Sequence, residues 1–160
     1  TLPALVVSGI LLGGLEEPGW RGFAQEHLQR RHSAFVASLI VGVVWITWHI
    51  PLFVIPGTTQ SSTPVVPFAV MGLGLAVVFA WAYNSARRSL PVVIVLHGAF
   101  NGALGWSGLI ETGTGGEAMW IVAGAVGLVA IGVLVHSGPA TLSSGDDTIE
   151  ETANHVTSPR

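Results

Sequence analysis

Ionisable and amide side chains that could carry out acid–base chemistry interrupt otherwise apolar stretches of this chain: Glu16, Glu17, Arg21, His49, His97 and Asn101. The chain is 50% hydrophobic and only 9% charged, so charged residues inside apolar stretches are scarce. A charged side chain at the centre of a bilayer costs about 2.5–3.5 kcal/mol on insertion scales, and such residues usually mark functional sites. These six residues are therefore the candidate functional site.

The spacing of these residues indicates two pairs and one carboxylate without a partner. Glu17 and Arg21 are four residues apart, and so are His97 and Asn101, so the members of each pair share one face of a helix. Glu16 has no obvious partner in the sequence, which makes it the candidate general base. Imidazole and amide groups from other helices could orient water or stabilise an oxyanion. Together these groups provide the parts required for hydrolysis inside a membrane.

A metal site is the alternative use of the same side chains. Glu16, His49 and His97 offer three nitrogen or oxygen ligands and leave a position for water, as in a catalytic zinc site. The local zinc motif H-E-x-x-H is absent, so such a site would have to be assembled across helices. The sequence is thus compatible with no cofactor or with one divalent metal ion, zinc.

The elements that must position these residues are membrane helices. Long apolar windows separated by short polar stretches predict an all-α, polytopic transmembrane helical bundle. About five membrane segments are expected, at residues 2–17, 33–55, 65–84, 90–106 and 119–135. The first segment is short for a span of about 20 residues, and the chain begins with Thr. We therefore expect the chain to begin inside a helix of a longer protein whose N-terminal spans are missing here.

A break is predicted at the end of the first segment. Pro18 disfavours helical conformation at Glu17 and lacks a backbone donor, so the helix should kink or restart there. Residues 20–31 then show apolar side chains at helical spacing. This pattern predicts an interfacial amphipathic helix with Trp20 as an anchor and with arginines that extend toward the headgroups.

Two regions of different composition divide the chain. Residues 1–136 form the predicted membrane core, whereas residues 137–160 are polar, acidic and poor in apolar side chains, which predicts a disordered tail. Two crossings separate the arginines before the second span from those after the third, so both clusters should lie on one face. The positive-inside rule makes that face cytoplasmic. The arginines concerned are Arg21, Arg30, Arg31, Arg87 and Arg88.

Composition also excludes several functions. The chain has no cysteine, which excludes disulfides, thiolate nucleophiles and cysteine-based metal sites. It has no basic stripe with interleaved aromatic residues, so nucleic acid is not an expected partner. The expected partners are the lipid bilayer and a peptide or protein substrate within the membrane.

Three motifs in order resemble those of the CAAX-protease and bacteriocin-processing (CPBP, or Abi) intramembrane endopeptidases. The motifs are E-E-x-x-x-R, aromatic-x-x-x-H and H-x-x-x-N, and the resemblance covers residues 5–101. Trp45 stands in the second motif where Phe is usual. Here the motifs are Glu16-Glu17…Arg21, Trp45…His49 and His97…Asn101.

This resemblance implies a role for each matched residue. Glu16 is expected to activate the attacking water with the help of His49, while His97 and Asn101 stabilise the tetrahedral oxyanion. Supporting roles fall to the remaining two residues, Glu17 and Arg21. The family has been described both as metalloproteases and as metal-independent glutamate proteases, so both mechanisms stay open.

Two other functions and one geometric difficulty stay open at this level. Glu/His chains inside membranes also carry protons, so a transporter or proton relay is an alternative. A non-catalytic immunity or scaffold protein is another. In straight helices His49 and His97 would lie at different depths. Either the second span starts later and continues toward Pro56, or a segment is tilted, broken or re-entrant around a water-filled cavity.

Overall fold

The computed structural model describes residues 2–108 and 115–144, which are helical with short connections. The α-helices are α1 (Leu2–Leu12), α2 (Glu26–Leu28), α3 (Ala34–His49), α4 (Val65–Ser85), α5 (Leu90–Ser107) and α6 (Gly115–Ser137). A π-helix covers Pro18–Gln25, and 3₁₀ turns cover Gly14–Glu16, Ile50–Phe53 and Thr59–Ser62. The described residues contain no strand, and the predicted all-α class is confirmed.

Four helical stretches are long and apolar enough to cross a membrane: Ala34–Phe53, Val65–Ser85, Leu90–Ser107 and Gly116–Ser137. They correspond to the second to fifth predicted segments and form a membrane-embedded helical bundle. The first predicted segment contains α1 (Leu2–Leu12), which is not among these four stretches.

The bundle is organised around α4, which packs against α3, α5 and α6, while α1 packs along α5. Small residues permit the close approaches of α4. A Cβ atom at Gly72 would lie 2.9 Å from the side chain of Ile46 on α3, and one at Gly74 would lie 2.8 Å from Val126 on α6. The largest apolar cluster contains Trp45, Phe68, Met71, Phe79 and Met119, and it lies next to the candidate site.

A new helix begins at Pro18, as predicted, although α1 already ends at Leu12. Glu17 keeps helical dihedral angles (φ −62°, ψ −33°), so the expectation that Pro18 disfavours them is wrong.

The helix that follows also buries a different face from the expected one. Arg21 and Gln25 are fully buried, whereas Phe23 is 64% exposed. Arg21 Nη1 donates to Glu17, the residue before the π-helix, and Gln25 Nε2 donates to the Ala34 carbonyl oxygen at 3.2 Å. These interactions compensate burial only in part, since Arg21 Nε and Nη2 and Gln25 Oε1 are buried without a hydrogen-bond partner among the described residues. Arg21 is nevertheless fully buried, so the expectation that it extends to the surface is wrong.

The region after α6 is partly folded. The Ala34 N–H donates to the Ala140 carbonyl oxygen at 2.8 Å, and Leu142 is fully buried. Trp81 Nε1 donates to Ser144 Oγ at 2.9 Å, and Asn84 Nδ2 donates to the Thr141 carbonyl oxygen at 2.7 Å. The predicted boundary between residues 136 and 137 is therefore too early, since the chain packs on the bundle to residue 144. The rest of the predicted tail, residues 145–160, lies outside the described residues.

Polar contacts hold one end of the bundle together. Gln29 and Asn84 exchange side-chain hydrogen bonds of 3.3 and 2.7 Å, and Arg88 pairs with Glu26 at 2.9 Å. These contacts place the segment before α3 beside the turn between α4 and α5. The exposed arginines therefore lie at the same end: Arg30, Arg31, Arg87 and Arg88.

Candidate active site

A cavity of about 510 Å³ lies inside the bundle and is lined by four of the six candidate residues: Glu16, His49, His97 and Asn101. Apolar side chains from α3, α4, α5 and α6 form much of its wall. The connection between α3 and α4 adds polar side chains: Thr59, Gln60 and Thr63. Glu17 and Arg21 are fully buried beside the cavity and do not line it.

Glu16 is half-buried at the end of the 3₁₀ turn that follows α1, and it has partners that the sequence did not reveal. Its Oε2 atom accepts hydrogen bonds from Trp20 Nε1 at 3.0 Å and from Trp45 Nε1 at 2.8 Å. No other hydrogen bond to this carboxylate occurs within residues 2–108 and 115–144. Oε1 is thus the oxygen left for a ligand in the cavity.

Glu17 is held in a different way, by groups that carry or can carry positive charge. Its Oε1 accepts from Arg21 Nη1 at 3.1 Å and lies 2.6 Å from His97 Nδ1. Arg21 also lies over the Phe79 ring at 5.1 Å. Burial lowers the pKa of the Arg21 guanidinium, while the charge and hydrogen bond of Glu17 oppose this shift. Glu17 therefore links Arg21 to the imidazole of His97.

Two side-chain nitrogens converge on the space beside Gly13. A Cβ atom at Gly13 would overlap Asn101 Nδ2 and would lie 2.8 Å from His97 Nε2. Since His97 Nδ1 is engaged by Glu17, Nε2 is the nitrogen that faces this space. Glycine is required at position 13 for both nitrogens to approach it. The arrangement suits a pair of donors to one oxygen atom when the His97 ring carries a hydrogen on both nitrogens.

His49 lies at the end of α3 and is half-buried. Its Nδ1 is 2.8 Å from the Trp45 carbonyl oxygen. A carbonyl oxygen can only accept, so Nδ1 carries the hydrogen and Nε2 of the neutral ring is free to accept.

The indole of Trp45 contacts both imidazoles. Its ring centroid is 5.3 Å from that of His49 and 5.6 Å from that of His97, with both contacts nearly edge-on. One cavity therefore reaches both histidines, although the two rings contact Trp45 and not each other.

The alternative zinc site is not formed by these residues. Within the part of the chain that the structure describes, no three His, Cys, Asp or Glu side chains are grouped so that they could hold a metal ion. Trp45 contacts the rings of both His49 and His97, and its indole nitrogen donates to Glu16. The set of Glu16, His49 and His97 therefore does not fit a three-ligand centre.

Sequence reasoning missed several residues of the site. Trp20 is four residues after Glu16, a spacing that could have indicated the contact between them. Nothing in the local sequence indicates that Gly13 or the polar connection at Thr59, Gln60 and Thr63 lies at the site. Their proximity to the site depends on contacts between segments that are far apart in the chain.

Comparison with known proteins gives a family. Residues 1–103 match the Rce1-like family model, described as type II CAAX prenyl endopeptidase Rce1-like. A protein named CAAX prenyl protease 2 from Methanococcus maripaludis is 32% identical over 98 residues, covering 58% of this chain and 36% of that protein. The chain thus spans about a third of the length of this curated relative. No solved structure matches the chain. The chain belongs to the Rce1-like family of type II CAAX prenyl endopeptidases.

Proposed function

We propose that this chain carries the catalytic centre of an intramembrane endopeptidase that hydrolyses a peptide bond through water activated by Glu16. The observation that carries this proposal is one shared cavity: a carboxylate with a free oxygen and two nitrogens beside Gly13 line the same space. Membership in a family described as endopeptidases supports the reaction type.

Glu16 is the general base of the proposed reaction. Its Oε2 is held by two indole donors, so Oε1 is available to accept a proton from water. The water oxygen then attacks the carbonyl carbon of the scissile bond. His49 lines the same cavity, and its Nε2, left without a hydrogen bond to the described residues when Nδ1 donates to Trp45, would accept from the water and help to orient it. Glu16 finally returns the proton to the leaving nitrogen as the C–N bond breaks.

His97 and Asn101 stabilise the negative charge that develops on the carbonyl oxygen. Asn101 Nδ2 carries hydrogens in every state, whereas His97 Nε2 carries one when the ring is an imidazolium. Glu17 stabilises this imidazolium through its contact of 2.6 Å with Nδ1, and Arg21 balances the charge of Glu17. Removal of one donor of this type commonly costs about 10²–10³ in kcat.

The proposed substrate is a membrane-associated peptide or protein with a prenylated C-terminal motif. The family description and the printed name of the relative both refer to CAAX prenyl proteolysis. A cavity wall rich in apolar side chains is compatible with an apolar group beside the scissile bond. Cleavage of a non-prenylated leader peptide would point to a different substrate class.

The first experiment is product mapping with the complete protein in lipid vesicles. A synthetic farnesylated peptide is incubated with the wild type and its fragments are identified by mass spectrometry. We expect one internal peptide bond to be cleaved, and kcat to fall about 10²–10³-fold in His97→Ala and Asn101→Ala. The control is His27→Ala, an exposed residue outside the cavity, which should retain activity. Equal rates in all variants would contradict the proposed roles of the two donors.

The orientation of the protein is also part of the proposal. The end of the bundle with Arg30, Arg31, Arg87 and Arg88 lies on the cytoplasmic face, as the positive-inside rule favours. Because the chain has no cysteine, single cysteines introduced at positions 30 and 58 report this directly. An impermeant maleimide added outside intact cells should label position 58 and not position 30; the reverse pattern would contradict the orientation.

A further inference from the structure

We propose that Trp20 and Trp45 form an indole clamp, a pair of positioning residues that holds the Glu16 carboxylate for catalysis. This inference rests on the proposed function, in which Glu16 is the base. It adds two residues to the site and assigns a separate task to each oxygen of the carboxylate.

The indole clamp is built from two elements that are distant in sequence. Trp20 lies in the π-helix and Trp45 in α3, yet both Nε1 atoms donate to the same oxygen, Glu16 Oε2, at 3.0 and 2.8 Å. Trp45 is 5% exposed, and Trp20 packs against the apolar cluster that contains it. A buried indole N–H requires an acceptor, so the carboxylate satisfies both donors while they fix its position.

The two adjacent glutamates are therefore held by different chemistry. Glu17 binds a guanidinium and an imidazole, groups that balance a fixed negative charge. Glu16 binds only neutral indoles among the described residues, so its orientation is fixed without a cation in direct contact. The indole donors orient this base while leaving its second oxygen without a hydrogen bond to the described residues.

The indole N–H groups are essential to the clamp, because a phenyl ring at position 20 or 45 could fill the space but could not donate a hydrogen bond to Glu16. The usual Phe of the second motif lacks this donor, and Trp45 supplies it in this chain. With Oε2 fixed and Glu16 lining the cavity, Oε1 is the oxygen left to meet water beside the scissile carbonyl. Loss of a donor should therefore disturb the chemical step more than substrate binding.

The kinetic test uses the complete protein in lipid vesicles and removes only the indole N–H. Tryptophan at position 20 or 45 is replaced by 3-benzothienylalanine, which keeps the ring size but has sulfur in place of the N–H. We expect kcat for the farnesylated peptide to fall about 10-fold for each replacement, with KM unchanged, since small errors in position are costly. The same replacement at Trp120, which is 52% exposed on α6, is the control and should leave both constants unchanged. Unchanged kcat after both replacements would overturn the clamp.

A spectroscopic test of the contact does not require activity. In protein labelled with ¹⁵N-tryptophan, Glu16→Gln should shift the indole N–H resonances of Trp20 and Trp45 and leave that of Trp120 in place. Trp20→Phe and Trp45→Phe assign the first two signals, and Trp120→Phe assigns the third. If the signals shift in Glu16→Gln but the wild-type protein does not hydrolyse the farnesylated peptide, the contact is supported and the proposed endopeptidase activity is refuted. If the signals do not shift in Glu16→Gln while the wild-type protein hydrolyses the peptide, the indole clamp is overturned and the proposed function is not.

Discussion

Substitution of Gly13 by alanine tests whether His97 and Asn101 act as converging donors. The added Cβ would overlap Asn101 Nδ2 and would lie 2.8 Å from His97 Nε2, whereas ordinary contacts begin at 3.4 Å. His97 would therefore have to move by about 0.6 Å or more, and the Asn101 amide by a larger distance. A displacement of about 1 Å can reduce a rate about 10²-fold, or about 2.7 kcal/mol in the barrier. We expect kcat of Gly13→Ala to fall by about that factor.

The assay is hydrolysis of the farnesylated peptide by the complete protein in vesicles, with thermal unfolding measured in parallel. Gly19→Ala is the matched control, because a Cβ there has no neighbour within 4 Å. In the Asn101→Ala background the effect of Gly13→Ala should shrink, since the overlapped amide is gone. A Gly13→Ala enzyme with wild-type kcat, or a full effect in the Asn101→Ala background, would refute convergence of the donors.

Three further substitutions test the packing that supports the site, each by thermal or denaturant unfolding of the purified protein. Arg21→Met should destabilise the fold by about 3–5 kcal/mol, because it leaves the buried Glu17 without its cation, and an added Glu17→Gln should recover part of the loss. Gly98→Ala should lower the unfolding temperature, since its Cβ would lie 2.7 Å from a backbone nitrogen of α1, whereas Gly124→Ala on α6 meets nothing within 4 Å. Leu142→Ala should lower the free energy of unfolding by about 2–5 kcal/mol, because Leu142 is fully buried. An unchanged free energy of unfolding would show that the segment after α6 is not part of the core.

The membrane helices could be predicted from sequence because each is a long run with few or no charges. Burial of the polar face of the π-helix could not be predicted from the sequence, because it depends on partners that are distant in the chain. Arg21 is compatible with burial only where Glu17 and His97 complete the network, and Glu17 and His97 are 80 positions apart. A local pattern of apolar residues therefore assigned Arg21 to the wrong face.

The residues of the site were predictable by type and order, but their contacts were not. The motifs identified Glu16 as a carboxylate without a local partner, whereas the fold supplies Trp45 from 29 positions away. The same indole contacts the rings of both His49 and His97, which lie on different helices, and nothing in the sequence indicated this contact between helices. Likewise, the packed segment at 138–144 is polar by composition, but backbone hydrogen bonds and buried Leu142 attach it to the bundle.

The most direct test of the proposed mechanism is kcat of Glu16→Gln for the farnesylated peptide, measured with the complete protein in vesicles. Gln keeps the size of the side chain but cannot accept the proton, so kcat should fall about 10²–10⁴-fold while the protein stays folded. Glu26→Gln is the control, because Glu26 binds Tyr83 and Arg88 away from the cavity and should not affect the rate. A folded Glu16→Gln protein that cleaves the peptide at the wild-type rate would contradict the role of Glu16 as the base.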